Sequence, residues 1–310
     1  MAIPPNSVQT DLNTAAQVYT TRFIEVVGGE LEQLRDFSLN FSDAFMNTPG
    51  EALPVPLFSG NTVGDWDDAT NNFIRQKVTL ADILVTINQH KIVGFKLTRE
   101  HLATFTPSYW QVMARLDAKN LAQKVITHVY GLVTAANFGD TANDKTEVSL
   151  ATFNKSTIAQ LRAQLVKRKM IPADTAIILN PDYFAALLDG LDASLYGGRE
   201  AIMGGRIPGL FGFRSIIEAP NYTAGPGFAA HASALAVAGR RLMPLNTQIF
   251  DAFETYSDEN TGMPFMSVIA TNVDTGMTSL STSCNFGAAP GDKKALVRLV
   301  EPTPPVTPPG

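Results

Sequence analysis

The chain has 310 residues, 45% of them hydrophobic, and a formal net charge of -5; a domain of that length buries roughly 75% of its unfolded surface and so can hold a substantial core. The acidic balance argues against broad nucleic-acid binding, although a shell around nucleic acid need not grip its contents. The single cysteine, Cys284, excludes an internal disulfide, and no run reaches the roughly 20 apolar residues that span a bilayer.

The first nine residues read as a loose arm, with no Arg-rich or apolar leader, so a cleaved export signal is not expected. Ala16, Tyr19, Phe23, Val27, Leu31 and Leu34 recur at three- or four-residue spacing and predict a helix over 15–37. Gly28-Gly29 costs about 1 kcal/mol per glycine relative to alanine and predicts a break in its middle. Pro49-Gly50 and Pro54-Val55-Pro56 impose an extended path, followed by a turn-rich stretch from Asn61 to Asn72. Ile83, Val85 and Ile87, then Phe95 and Leu97, alternate with other residues at strand period, and Asn88 to Lys91 can turn between the two runs. Two strands alone are marginal in water, so this ribbon needs a surface to lie on. Trp66 and Phe73 are its candidate anchors.

Thr106 can cap a long helix, and Pro107 suits its first position. Trp110, Met113, Leu116, Leu121, Val125, Val129 and Leu132 lie near one side, and Gln111, Arg115, Asn120, Lys124 and Thr127 face away. About 25 helical residues make a rod of about 38 Å. An α/β block begins near Val148, with Ser156 as a helix cap and an apolar strand at 176–179. Asn180-Pro181-Asp182 then turns into a helix burying Phe184, Leu187 and Leu188. A glycine-rich loop with Arg199 and Arg206 leads into a strand over 215–218, and another strand covers 234–238. Strands over 250–256, 266–271, 280–286 and 295–300 follow. Cys284 reads as a small core residue in the third of these, and a proline-rich tail occupies 301–310.

No motif points to catalysis. His90, His101, His128 and His231 form no His-x-x-His pair, and a zinc site needs three or four convergent ligands. Asp65, Asp67 and Asp68 lack calcium-loop spacing, and Asp258-Glu259-Asn260 reads as a solvated turn. The glycines from Gly197 to Gly212 match neither phosphate-loop signature, so flexibility is their simpler role. Arg199 and Arg206 present donor forks suited to a neighbour's acids or carbonyls. Arg240-Arg241 and the other scattered basic residues make no aromatic-interleaved nucleic-acid track. No catalytic, cofactor-binding or metal-binding residue is assigned.

The ordered set of segments resembles the major capsid proteins of tailed bacteriophages, with their HK97-like α+β fold. Glu51-Ala-Leu-Pro-Val-Pro56 and the strands to Lys96 look like the family's extended β-hairpin loop, and 106–137 looks like its spine helix. Ile178-Leu-Asn-Pro-Asp-Tyr-Phe184 resembles the strand-to-helix step of the axial domain. Ile207-Pro-Gly-Leu-Phe-Gly212 with the strand to Pro220 resembles the glycine loop that follows, and 234–243 resembles the next strand. The resemblance implies an amino-terminal arm and helix over 1–49 and the extended loop over 50–98. It places the spine helix and part of a peripheral domain over 99–147, the axial domain over 148–240, returning peripheral strands over 241–300 and the tail over 301–310.

It further implies a non-enzymatic virion subunit, without cofactor, assembled in the host cytoplasm. Pentamers and hexamers would close into an icosahedral or elongated head around double-stranded DNA, read without sequence specificity and without a membrane. A portal is an expected partner. So is a separate scaffolding protein, since only about 45 residues precede the loop. Some members form Lys–Asn cross-links, but no matching trio is found here. An encapsulin-like compartment shares these features, and a soluble α/β enzyme is the more distant alternative.

Overall fold

The computed structural model describes residues 5–42, 52–58, 80–98, 107–190, 205–242, 251–272, 275 and 277–302. In chain order they form α1 (Pro5–Leu31), α2 (Leu34–Phe37), β1 (Ser38–Asn40), β2 (Ala52–Phe58), β3 (Leu80–Thr86), β4 (Gln89–Leu97) and α3 (Pro107–Tyr130). Next come α4 (Ala135–Phe138), β5 (Lys145–Glu147), α5 (Lys155–Lys167), β6 (Thr175–Leu179), α6 (Pro181–Asp189), β7 (Arg206–Pro208) and β8 (Ser215–Glu218). Last are β9 (Gly227–His231), β10 (Leu235–Arg240), β11 (Ala252–Ser257), β12 (Pro264–Thr271), β13 (Thr278–Pro290) and β14 (Leu296–Val300). The fold class is α+β.

α1 begins at Pro5, inside the stretch expected to be a loose arm, and it runs unbroken through Gly28-Gly29. The interruption falls instead at Glu32 and Gln33. Tyr19, Phe23, Val27 and Leu31 are fully buried along one stripe, and that burial outweighs the glycine cost. Gly28 also has a packing use: a Cβ there would sit 2.5 Å from Asp258 Oδ1, so only glycine lets α1 approach that turn.

Two six-stranded sheets and one two-stranded ribbon organise the described residues. The first runs β1-β10-β13-β12-β11, with β4 also paired to β13. The second runs β5-β14-β9-β6-β8-β7. β10 thus leaves the compact block and joins the first sheet, whereas β14 joins the second. Sheet membership therefore crosses the linear order of the chain at both points.

β6 is buried at every position because both faces of its sheet are covered. Ala176 and Ile178 face a core shared with α1, α2 and α3. Ile177 and Leu179 face a second core built on α5 and α6, with Leu161, Leu165 and Phe184. Asn154, not Ser156, caps α5: its side chain accepts from the Ser156 amide at 2.8 Å. Asn180 caps α6 in the same way at 3.0 Å, with Pro181 at the first helical position. Leu188 of that helix is half-buried rather than buried.

The two alternating runs before α3 do not pair with each other. β3 pairs antiparallel with β2, from Ala52 opposite Thr86 to Phe58 opposite Leu80, and β4 pairs with β13 instead. Pro54 and Pro56 are two residues apart, so both missing N–H groups point to the same edge of β2. Pairing with β3 requires that edge to be the outer one. The ribbon is therefore β2 with β3, and Asn88 lies between strands of two different sheets. The turn-rich 61–72 segment, Trp66, Phe73, the Asp65, Asp67 and Asp68 group, His101, Thr106, Arg199 and the tail beyond Pro302 lie outside the described residues.

Candidate functional site

The arrangement with most bearing on function is a ribbon pinned at its base to one face of the first sheet, whose other face carries an outward-facing helix pair. Val55, Val85 and Ile87 of the ribbon are buried against Ala236, Ala238 and Ala289 of the first sheet. Small residues on that face let the backbones approach. At Gly287 a Cβ would collide with the Thr86 carbonyl oxygen, so the crossing of ribbon over β13 depends on glycine at this position. The opposite face is open, with Leu84 61% exposed.

α3 packs along α1. Ala114, Ala118 and Ala122 form the close-approach stripe, with Leu121, Val125 and Val129 filling the space around them. Leu116, expected inside, is outside, and Asp117 takes the buried position. A helix turns 100° per residue, and the small alanines rather than the larger Leu116 define the contact line. The Tyr19 hydroxyl donates to Asp117 Oδ2 at 2.9 Å, giving the buried carboxyl a partner. Burial raises the Asp117 pKa above the ordinary carboxylate value, and the Tyr19 hydrogen bond opposes this only in part. Tyr109, Val112 and Leu116, each more than half exposed, form an apolar stripe on the outer side of α3. Beside it, Val18, Thr21, Arg22, Gln111, Val112 and Arg115 line an open groove of about 570 Å³.

Other charges staple elements within the subunit. Asp36 in α2 is almost fully buried, yet its carboxylate is well served. Arg206 lies 2.5 Å away and Arg214 3.1 Å, and Ser215 donates at 2.7 Å. Arg206 also lies 3.5 Å from Glu32. The donor fork expected to grip a neighbour is thus used at home, tying β7 to α2. Arg298 in β14 bonds the Gly139 carbonyl at 2.7 Å and Asp140 at 2.8 Å, fixing the strand to the turn before β5. Sequence reasoning missed Asp36 and Asp117. Their one signal was an acid interrupting an apolar helical series.

The residues singled out for chemistry have structural employment. Cys284 is fully buried, and burial pushes its thiol up to about 12, so it stays protonated at neutral pH. Asp258 is buried rather than solvated: it accepts from the Thr261 amide at 2.8 Å and hydroxyl at 2.6 Å, closing a turn. His231 ends β9 and shares a 2.8 Å hydrogen bond with the Ser233 hydroxyl. His128 stands edge-on to Phe286, and burial together with the charge of Lys91 lowers its pKa. His90 is exposed on β4. Among the described residues no three His, Cys, Asp or Glu side chains converge to hold a metal ion. No described helix is long and apolar enough to cross a membrane.

Residues 82–299, well over half the chain, match the profile of a family described as phage capsid protein. The chain belongs to that family. It is a structural subunit of the phage capsid, and a capsid subunit works in the virion by associating with copies of itself. No curated protein sequence matches the capsid protein.

Solved structures share its fold at low identity. The capsid of Ralstonia phage GP4 aligns over 87% of this chain and 88% of its own, with 9% identity and a TM-score of 0.56. The mature capsid of bacteriophage PhiM1 aligns over 88% and 87%, with 11% identity and a TM-score of 0.53. The capsid of a native GTA particle aligns over 88% and 90%, with 12% identity and a TM-score of 0.52. The match is to the HK97-like major capsid fold. Neither the encapsulin-like compartment nor the soluble enzyme has support from these relatives.

Proposed function

We propose that copies of this capsid protein associate as pentamers and hexamers into a closed icosahedral or elongated head holding double-stranded DNA. The ribbon carries the reading. Its base is pinned to its own subunit by Val55, Val85 and Ile87, while its other face presents Leu84 to solvent. Two strands with one open apolar face gain stability by lying on an adjacent copy. Many modest contacts of this kind, repeated by symmetry, make removal of one subunit difficult once the shell closes.

Under this reading the sheet of β5 to β9 with β14, flanked by α5 and α6, is the axial domain. The sheet of β1, β4 and β10 to β13, with α1 and α3, is the peripheral domain, and β2 with β3 is the extended loop. The subunit acts by association and not by catalysis, and needs no cofactor. A portal and a separate scaffolding protein are its partners, and assembly takes place in the host cytoplasm.

Electron microscopy of negatively stained, purified protein tests the proposal. Closed shells, or capsomers with five-fold and six-fold symmetry, are expected. A monomeric population at every salt concentration would contradict it.

A further inference from the structure

The surface charge is unevenly placed. Residues 148–173 hold Lys155, Arg162, Lys167, Arg168 and Lys169 and no acid, in a chain whose net charge is -5. Four of the five side chains are exposed on α5 or just past its end. Among the described residues none of these four is ion-paired.

Arg168 is different. It is bound to Asp144 at 3.0 Å and to the carbonyls of Lys294 and Leu296 at 3.2 and 3.1 Å. That clamp brings the turn Lys293–Ala295, with exposed Lys293 and Lys294, to the end of α5. The result is a basic exposed side of α5 about 18 Å long, with Lys155 and Arg162 along one line and Lys167 about 120° round the axis from Lys155. Glu147 and Asp174 flank the stretch in sequence, and Asp292 precedes Lys293; the exposed Glu147 is paired with Lys145 at 3.3 Å, and Asp292 is occupied with the Lys294 amide at 2.9 Å.

We propose that this α5 face is a contact for the phosphate backbone of the enclosed duplex DNA, an inference that rests on the DNA-holding shell proposed above. Charge complementarity favours that occupant. The surface between the cations consists of Ser156, Ala159, Gln160 and Ala163. Small neutral residues, hydroxyls and amides accompany phosphate recognition, whereas protein interfaces are poor in lysine and carry aromatic anchors. The exposed cations have no exposed aromatic side chain among them; Val166 is the large exposed apolar residue on α5 itself, with Ile171 exposed two residues past Lys169 and Leu150 before the helix. Backbone contact of this type reads no sequence.

The test titrates a fluorescent 30-base-pair duplex with full-length unassembled subunits over a salt series, beside the variant Lys155→Ala/Arg162→Ala/Lys167→Ala/Lys169→Ala. The variant should bind at least tenfold more weakly at 50 mM salt. The slope of log K against log salt should become shallower by about 3.6 if each of the four cations meets one phosphate, at about 0.9 per contact. Arginine at the three lysine positions should restore both. Two duplexes of unrelated sequence should bind alike.

Equal slopes for wild type and variant would overturn the inference. So would an equal loss in Arg115→Ala/Lys124→Ala on α3, or competition by polyglutamate matching that of unlabelled duplex at equal charge. The same proteins, concentrated until they assemble, are imaged for shells. Wild-type and variant shells with an unchanged duplex slope would reject the contact and leave the shell intact. Duplex binding without shells would reject the shell alone.

Discussion

At the scale of single residues, two buried carboxylates have opposite surroundings. Asp36 sits between two guanidinium groups and a hydroxyl. Asp36→Ala would take this acceptor from Arg214 and Ser215, while Arg206 keeps Glu32, and would lower stability by about 2 kcal/mol, below the usual figure for a broken buried pair because both arginines are partly exposed. Urea unfolding would show a lower midpoint with an unchanged slope. Among the described residues Asp117 has Tyr19 as its one hydrogen-bond partner, and its pKa is raised. A raised carboxyl binds its proton more tightly folded than unfolded. Its contribution is therefore fully present below the unfolded pKa and lost as pH rises through the folded one. Asp117→Asn keeps an acceptor for Tyr19 and removes the ionisation. The variant's stability advantage over wild type should grow from pH 4 toward neutrality, as read by unfolding midpoints. An advantage that is flat across that range would refute the assignment.

At the scale of elements, the ribbon joins local folding to assembly. Gly287→Ala places a methyl against the Thr86 carbonyl, and overpacking of this kind costs about 1–3 kcal/mol. The ribbon should lift from β13, with faster amide exchange over 83–87 and little change in α5 or α6. Leu84→Asp acts on the other face. It should leave the melting temperature nearly unchanged, since the site is exposed. It should raise the concentration needed for shells by about tenfold, equivalent to about 1.4 kcal/mol per contact. Light scattering against concentration reads this directly. Deleting residues 60–75 removes a larger part of the loop between β2 and β3 and should abolish closure while sparing the subunit's unfolding transition. Normal shells from that deletion would refute the role of the ribbon.

At the scale of the whole molecule, the longer elements were legible where each has a local cause, whereas β9, central in the second sheet, and the short strands β1, β5 and β7 were not. The 3.6-residue stripe of Tyr19, Phe23, Val27 and Leu31, the proline at the start of α3 and the Asn180-Pro181 step are all written in adjacent residues. Cys284 as a core residue followed from strand alternation alone. Tertiary structure decided the rest, because those choices depend on partners distant in sequence. β3 had two candidate partners at similar range, and the outward edge set by Pro54 and Pro56 is satisfied only when β2 takes it. The helix passes Gly28 because a turn more than 200 residues later needs the space. Leu116 gave its inward place to Asp117 because alanines line the contact and Tyr19 waits opposite. The sequence by itself determined the long helices and the strongly alternating strands, since propensity and period act within a few residues. Only the tertiary structure decided which strands pair, which charges are consumed internally and which faces stay open for other copies, since burial is a property of the assembled core.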